Sequence, residues 1–300
     1  MNKTLALAAS FTAISLLAGC ASTGAPSVPM GDRSYSESNS RAYNLAQAGG
    51  LREARDTELG AAEYSSMMSD LSGGASTALS LSSSAGFGLS GGTSLGLGLA
   101  SALLSGPGMM QVDSAFAFVP SNAAANEKEA SEVIKEHFYN AVHEVALKND
   151  FELEIFEQNM SVPHGRYRNI MGIGLINEDI GCIRDEQAQG SHELCYISIL
   201  TPHKGSTLRE TPKAVNHTTT SSSYQYNASN SSHAISIILS LSDSLKAQLE
   251  DEGAELARLR LLQDFSASMP EWFFIYESSK ENTPPLILEN GNIELFVKPS

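Results

Sequence analysis

The sequence predicts an α+β fold: a mainly antiparallel sheet with helices packed on one face. Three observations lead there. Residues 127–149 place Ile134, Phe138, Ala141, Val142 and Val145 on one side of a 3.6-residue period, the mark of an amphipathic helix. Residues 151–156 then alternate apolar and polar, as a strand with one buried face does. Near the C-terminus, residues 285–289 and 292–297 flank Asn290-Gly291, the pair that most favours a type I′ hairpin turn. Two helix-then-strand passages closed by a hairpin suit helices lying on one side of an antiparallel sheet.

The elements run in order from the N-terminus. Lys3 supplies a positive charge, Leu5 to Leu17 form a 13-residue apolar run, and Leu17-Ala18-Gly19-Cys20 follows. Such a run is too short to span a bilayer permanently and reads as a secretory signal over residues 1–19. The four residues ending in Cys20 resemble the lipobox of bacterial lipoproteins. That resemblance implies cleavage before Cys20, a thioether-linked diacylglycerol on its sulfur, and acylation (palmitate or a similar chain) of the new amino group. Two or more chains anchor stably where one does not. Lipoproteins held in the inner membrane usually carry aspartate after the cysteine. Ala21 stands there, so the resemblance favours the outer membrane, facing the periplasm.

Without the signal, 18 basic residues face 34 acidic ones. So acidic a chain lacks the basic stripe that nucleic acid demands, and it has little charge attraction to anionic headgroups. The membrane is reached through lipid.

Residues 20–40 are rich in Ser, Gly and Pro and read as a flexible lipidated tether. Residues 41–70 are expected to be mostly helical, with Leu51, Arg52, Glu53, Ala54, Arg55 and Glu58 as good helix formers and a break at Gly49-Gly50. Residues 71–112 form a Gly/Ser/Leu-rich segment of 42 residues without one charged side chain. Within it Gly88, Gly92 and Gly96 recur every fourth residue, which on a helix makes a smooth strip for close helix packing. A plain linker is the other reading, although leucines such as Leu79, Leu81, Leu95, Leu97, Leu99, Leu103 and Leu104 argue against it. The glycine spacing after a lipidated tail resembles the architecture of plasmid surface-exclusion lipoproteins, whose glycine-zipper segments are apolar. No catalytic motif comes with that likeness.

The globular domain is expected over residues 126–300. Asn126 is a candidate N-cap for its first helix. Residues 169–176 and 194–200 read as strands, and 214–233 as a surface loop or an exposed strand. Residues 234–241 read as a buried strand, 243–265 as a helix capped by Ser242 or Asp243 with Leu245, Leu249, Leu256, Leu259 and Leu262 inward, and 272–276 as a strand.

Candidate chemistry is sparse. Gly88-Leu89-Ser90-Gly91-Gly92 fits the letters of a hydrolase nucleophile elbow, but a Gly/Ser-biased stretch produces that match by chance. His137 and His143 lie roughly 240° apart around their helix and cannot grip one metal from one face. Glu250, Asp251, Glu252 and Glu255 lack the alternation of a calcium loop. Cys182 and Cys195 are expected to form a structural disulfide in an oxidising compartment. The carboxylates around them would raise a thiol pKa, which opposes redox reactivity.

The resulting expectation is a non-enzymatic lipoprotein, without cofactor or metal, acting through envelope protein partners in secretion, conjugation or surface exclusion, with homo-oligomers as one form of contact. A periplasmic ligand-binding or carrier module is the alternative, with Trp272, Phe273, Phe274 and Tyr276 as ligand or core aromatics. An envelope hydrolase is the third reading.

Overall fold

A computed structural model describes residues 35–78, 109–162, 166–184, 187, 191–202, 208–215, 221–228 and 234–298. Cys20 and the glycine row Gly88, Gly92 and Gly96 lie outside the described residues. The fold is α+β, with every strand pairing antiparallel.

In chain order the elements are α1 (Arg41–Ala48), α2 (Ala61–Ala78), β1 (Ser114–Pro120), α3 (Glu127–Lys148), β2 (Glu152–Val162), β3 (Arg166–Ile176) and β4 (Tyr196–Pro202). Then come β5 (Leu208–Glu210), β6 (Ser222–Tyr226), β7 (Ser236–Ser240), α4 (Asp243–Ser268), β8 (Phe273–Glu277), β9 (Leu286–Glu289) and β10 (Asn292–Leu295). One sheet has the order β10-β9-β8-β1-β6-β5 and the other β2-β3-β4-β7. They meet where Ala115 bridges Ile235, just before β7.

Local chemistry sets the ends of the helices. The Asn126 side chain accepts from the backbone N–H of Lys128 and Glu129, and Glu129 returns to the Ala125 N–H. Ser242 caps α4 by accepting from Leu245 N–H. Such caps contribute about 1 kcal/mol each. At the final hairpin both turn residues have positive φ, Asn290 at 50° and Gly291 at 78°. A side chain at 291 would also meet the Ala267 methyl at 2.8 Å, so turn and packing both require glycine.

The main core lies between both sheets and the pair α3 and α4. Phe138, Phe265 and Phe273 interlock edge to face there, with Ile134, Ile173, Ile199 and Leu262 fully buried around them. A second, smaller core covers the opposite face of the six-stranded sheet, where Ala42, Leu45 and Ala46 of α1 meet Phe116, Phe118, Phe274 and Phe296. The two long helices therefore share one face while α1 occupies the other.

The folded unit extends further towards the N-terminus than residue 126. Strand β1 is central, paired with β6 and β8, and Phe116 stacks on Phe274 at 5.1 Å. Residues 51–60 are not helical despite their propensity. Leu51 and Ala54 are buried under the smaller core, and Thr57 bridges Val297 in parallel, so tertiary contacts override a weak local preference. Helix α2 carries the start of the apolar segment as far as Ala78.

Where β1 begins, a buried ionic cluster ties three elements together. Arg258 of α4 donates to Glu277, to Asp113 at 2.6 Å and to the Leu239 carbonyl at 3.1 Å. Asp113 also accepts from Lys280 at 2.8 Å and from the backbone and hydroxyl of Ser278. Burial pushes the Glu277 carboxyl above its ordinary value against the pull of Arg258. Burial acts the same way on Asp113, but Arg258, Lys280 and Ser278 together outweigh it and hold that carboxyl low.

Cys182 and Cys195 form a disulfide joining the turn after β3 to the start of β4. Both are buried, and Cys195 sulfur accepts from the Ser242 N–H that opens α4. The bridge closes a loop with a sequence separation of 13. For a loop of this length the chain-entropy account gives about 3 kcal/mol. Replacing both cysteines by alanine is expected to lower unfolding free energy by about 2–5 kcal/mol. Urea titrations of parent and variant check this, and coincident midpoints would show that the bridge contributes nothing.

Candidate functional site

Two places on the molecule have unspent capacity for contacts. The first is the outer face of the four-stranded sheet. Its inward rows carry Ile173, Leu175, Ile197, Ile199, Ile237 and Leu239 into the main core. Period-two alternation turns Phe156, Ile170, Gly172, Tyr196, Ser198, Leu200 and Ile238 the other way. The register aligns Phe156, Gly172, Ser198 and Ile238 across all four strands.

None of these outward side chains belongs to either core, and Phe156 and Ile238 are 39% and 43% exposed. The Phe156 ring lies over Gly172, in the space a methyl group there would fill, and meets Tyr196 edge to face at 6.4 Å. The same register brings Glu154, Ser236 and Ser240 to this face, so it is mixed: half-exposed apolar side chains stand among polar ones, around a buried centre at Gly172 and Ser198.

The second place is a cleft of about 430 Å³ between the start of α1, the start of α2 and the end of β10. Arg41, Tyr64, Glu294 and Lys298 line it together with Leu59, Leu295 and Val297. Arg41 makes a two-pronged ion pair with Glu289, 2.8 Å from Nε, and also donates to the Ala214 carbonyl. Lys298 pairs with Glu58 at 3.1 Å. Ser40 caps α1 through the Tyr43 N–H and donates its own N–H to Asp56 at 2.8 Å.

Glu294 differs from these. Among the described residues it takes no hydrogen bond and no ion pair. Burial and the neighbouring Glu289 push its carboxyl above the usual range, against a smaller opposing effect of Arg41. Burial, followed by the charge of Glu294, also raises the Tyr64 hydroxyl.

The residues singled out in the sequence fall elsewhere. Trp272, Phe273, Phe274 and Tyr276 are buried: Phe274 stacks on Phe116, and the Tyr276 hydroxyl donates to the Met110 carbonyl at 2.8 Å. None of them lines the cleft. His137 packs edge to face on Trp272 at 5.5 Å, and burial lowers its pKa, so it favours the neutral form. His143 stands beside Tyr139 on the same helix, a turn and more from His137. Glu255 of the acidic run accepts from the Asn282 N–H and the Thr283 hydroxyl, a tie between α4 and the loop before β9.

Neither place was legible as a motif. Arg41, Tyr64 and Glu294 come from three distant parts of the chain. The strand register that gathers the outward apolar residues is invisible until pairing is known. No protein family, curated protein or solved structure matches the chain, so its functional reading rests on its own residues and their arrangement.

Proposed function

We propose that the chain is a non-enzymatic outer-membrane lipoprotein, anchored through Cys20 and facing the periplasm. It acts through protein contacts in an envelope assembly of the secretion, conjugation or surface-exclusion kind. The observation that supports contact as its mode of action is the exposure of Phe156 and Ile238 on the outer face of the four-stranded sheet. Aromatic and aliphatic side chains around a flat, small-residue centre provide area that an interface can desolvate. The acidic chain favours a partner whose apolar patch has a basic rim, since opposite charge speeds encounter and rejects wrong partners.

A photo-crosslinking residue at position 156 or 238, in cells, tests this reading. Discrete adducts are expected from both positions. Adducts are not expected from position 147, where Leu147 is 68% exposed on α3 and lies off this face. The double change Phe156→Glu and Ile238→Glu should abolish adducts from a crosslinker at neighbouring position 196. Lipidation and thermal stability should persist, because both replaced side chains already meet solvent. Equal adduct patterns from 147 and 156 would remove the basis for the assignment.

A further inference from the structure

We propose that the cleft between α1, α2 and β10 is a binding site for an alkylammonium group, such as a lysine side chain, received by the Glu294 carboxylate. This site lies apart from the outer sheet face, and the inference stands or falls independently of that face.

The charges decide the class of ligand. Two cations line the cleft, and each already has a carboxylate: Arg41 has Glu289 and Lys298 has Glu58. Asp56 is engaged by the N–H and hydroxyl of Ser40, and Glu63 by the N–H of Gly60. Glu294 is the carboxylate left over, on the wall of a half-open cavity. An anion placed there would meet a carboxylate whose charge Arg41 offsets only in part, whereas a cation would supply a direct partner.

The remaining lining fits an ammonium on an apolar stem. Leu59, Leu295 and Val297 offer alkyl surface, and Tyr64 contributes an aromatic ring that is 36% exposed. A cation over such a ring gains attraction beyond its ion pair. Ser65 lines the same space and adds a hydroxyl of the kind that accepts an ammonium hydrogen. A volume of about 430 Å³ also falls within the range of ligand sites.

The Glu294 carboxyl also gives the site a stability signature. A carboxyl whose folded pKa is raised stabilises the fold fully only below its unfolded value. That contribution is lost as pH rises through the folded value. Above its folded value the ionised Glu294 therefore weighs against the fold, and Glu294→Gln should melt at the same temperature as the parent or higher. The same change should weaken ligand binding, which separates a binding role from a structural one.

The test uses the full-length protein in detergent and calorimetric titration at neutral pH. The probes are a capped pentapeptide alternating valine and lysine, the same peptide with norleucine for lysine, and n-butylammonium chloride. The lysine peptide should bind at least about tenfold more tightly than the norleucine peptide, as a charge-assisted hydrogen bond implies. Glu294→Gln should remove that preference, and Tyr64→Leu should reduce it.

Saturable binding of butylammonium as tight as the peptide would support the site and identify a free amine as its ligand. Weaker butylammonium binding would support it with a basic side chain as the source. Equal affinity for both peptides, an unchanged preference in Glu294→Gln, or no saturation by either cationic probe at about 1 mM would overturn the proposal.

Discussion

Replacing Arg258 by leucine is expected to lower unfolding free energy by about 3–5 kcal/mol, the range for removing one partner of a buried ion pair. The Glu277 side chain is 3% exposed and receives Arg258, so the leucine variant leaves a carboxylate in the interior without its counter-charge. Asp113 suffers less, because Lys280 and Ser278 still reach it.

The double variant Arg258→Leu with Glu277→Leu should therefore recover much of the loss, since two apolar side chains leave no buried charge uncompensated. Chemical denaturation of the parent, both single variants and the double variant gives the coupling directly. A single-variant loss below about 1 kcal/mol, the level of an exposed pair, would show that solvent reaches the cluster.

The pH dependence has a definite sign. The Asp113 carboxyl is held low, so its contribution is present above its ordinary unfolded value of 3.8 and lost as pH falls through the lower folded value. Without the guanidinium that folded value rises, and the acid-side loss should begin at higher pH in Arg258→Leu. Glu277 is raised by burial, so its contribution runs the other way and is lost as pH rises through its folded value.

Cys20→Ser is expected to abolish lipid attachment altogether. A serine oxygen cannot form the thioether that the proposed diacylglycerol anchor requires. Each buried methylene adds about 0.8 kcal/mol to membrane binding, so losing whole chains moves the protein from stable anchoring to none. Cells given a labelled fatty acid should label the parent and leave the serine variant unlabelled, with its signal segment retained. Equal label on both would contradict the lipoprotein reading and the outer-membrane assignment together. Among the described residues no helix is long and apolar enough to cross a membrane.

Long elements with clean periodicity were legible in the sequence. The amphipathic pattern and Asn126 located α3, the Ser242 cap and leucine spacing located α4, and Asn290-Gly291 located the last hairpin. Strand β1 was hidden for a physical reason: Ala115 to Val119 are all buried because helices cover both faces of the sheet, so no alternation remains to be read. The Ser/Thr/Asn-rich stretch before residue 234 was ambiguous between loop and strand. It contains β6, which pairs with β1 and buries Tyr224 and Tyr226.

What the sequence determined by itself is local and compositional: the apolar N-terminal run before Cys20, the acidic balance, the caps, the turn and the helix and strand periods. Each depends on residues within a few positions of one another, where backbone geometry alone relates side chains. The tertiary structure alone decided the division into two sheets, the central place of β1, the non-helical course of residues 51–60 and the ionic cluster at Asp113. It also decided both candidate contact sites. These depend on strand register and on pairs such as Arg41 with Glu289, separated by 248 positions. Burial then fixes their energetics: a carboxylate such as Glu277 or Glu294 acquires an unusual pKa only when the folded chain removes water from it.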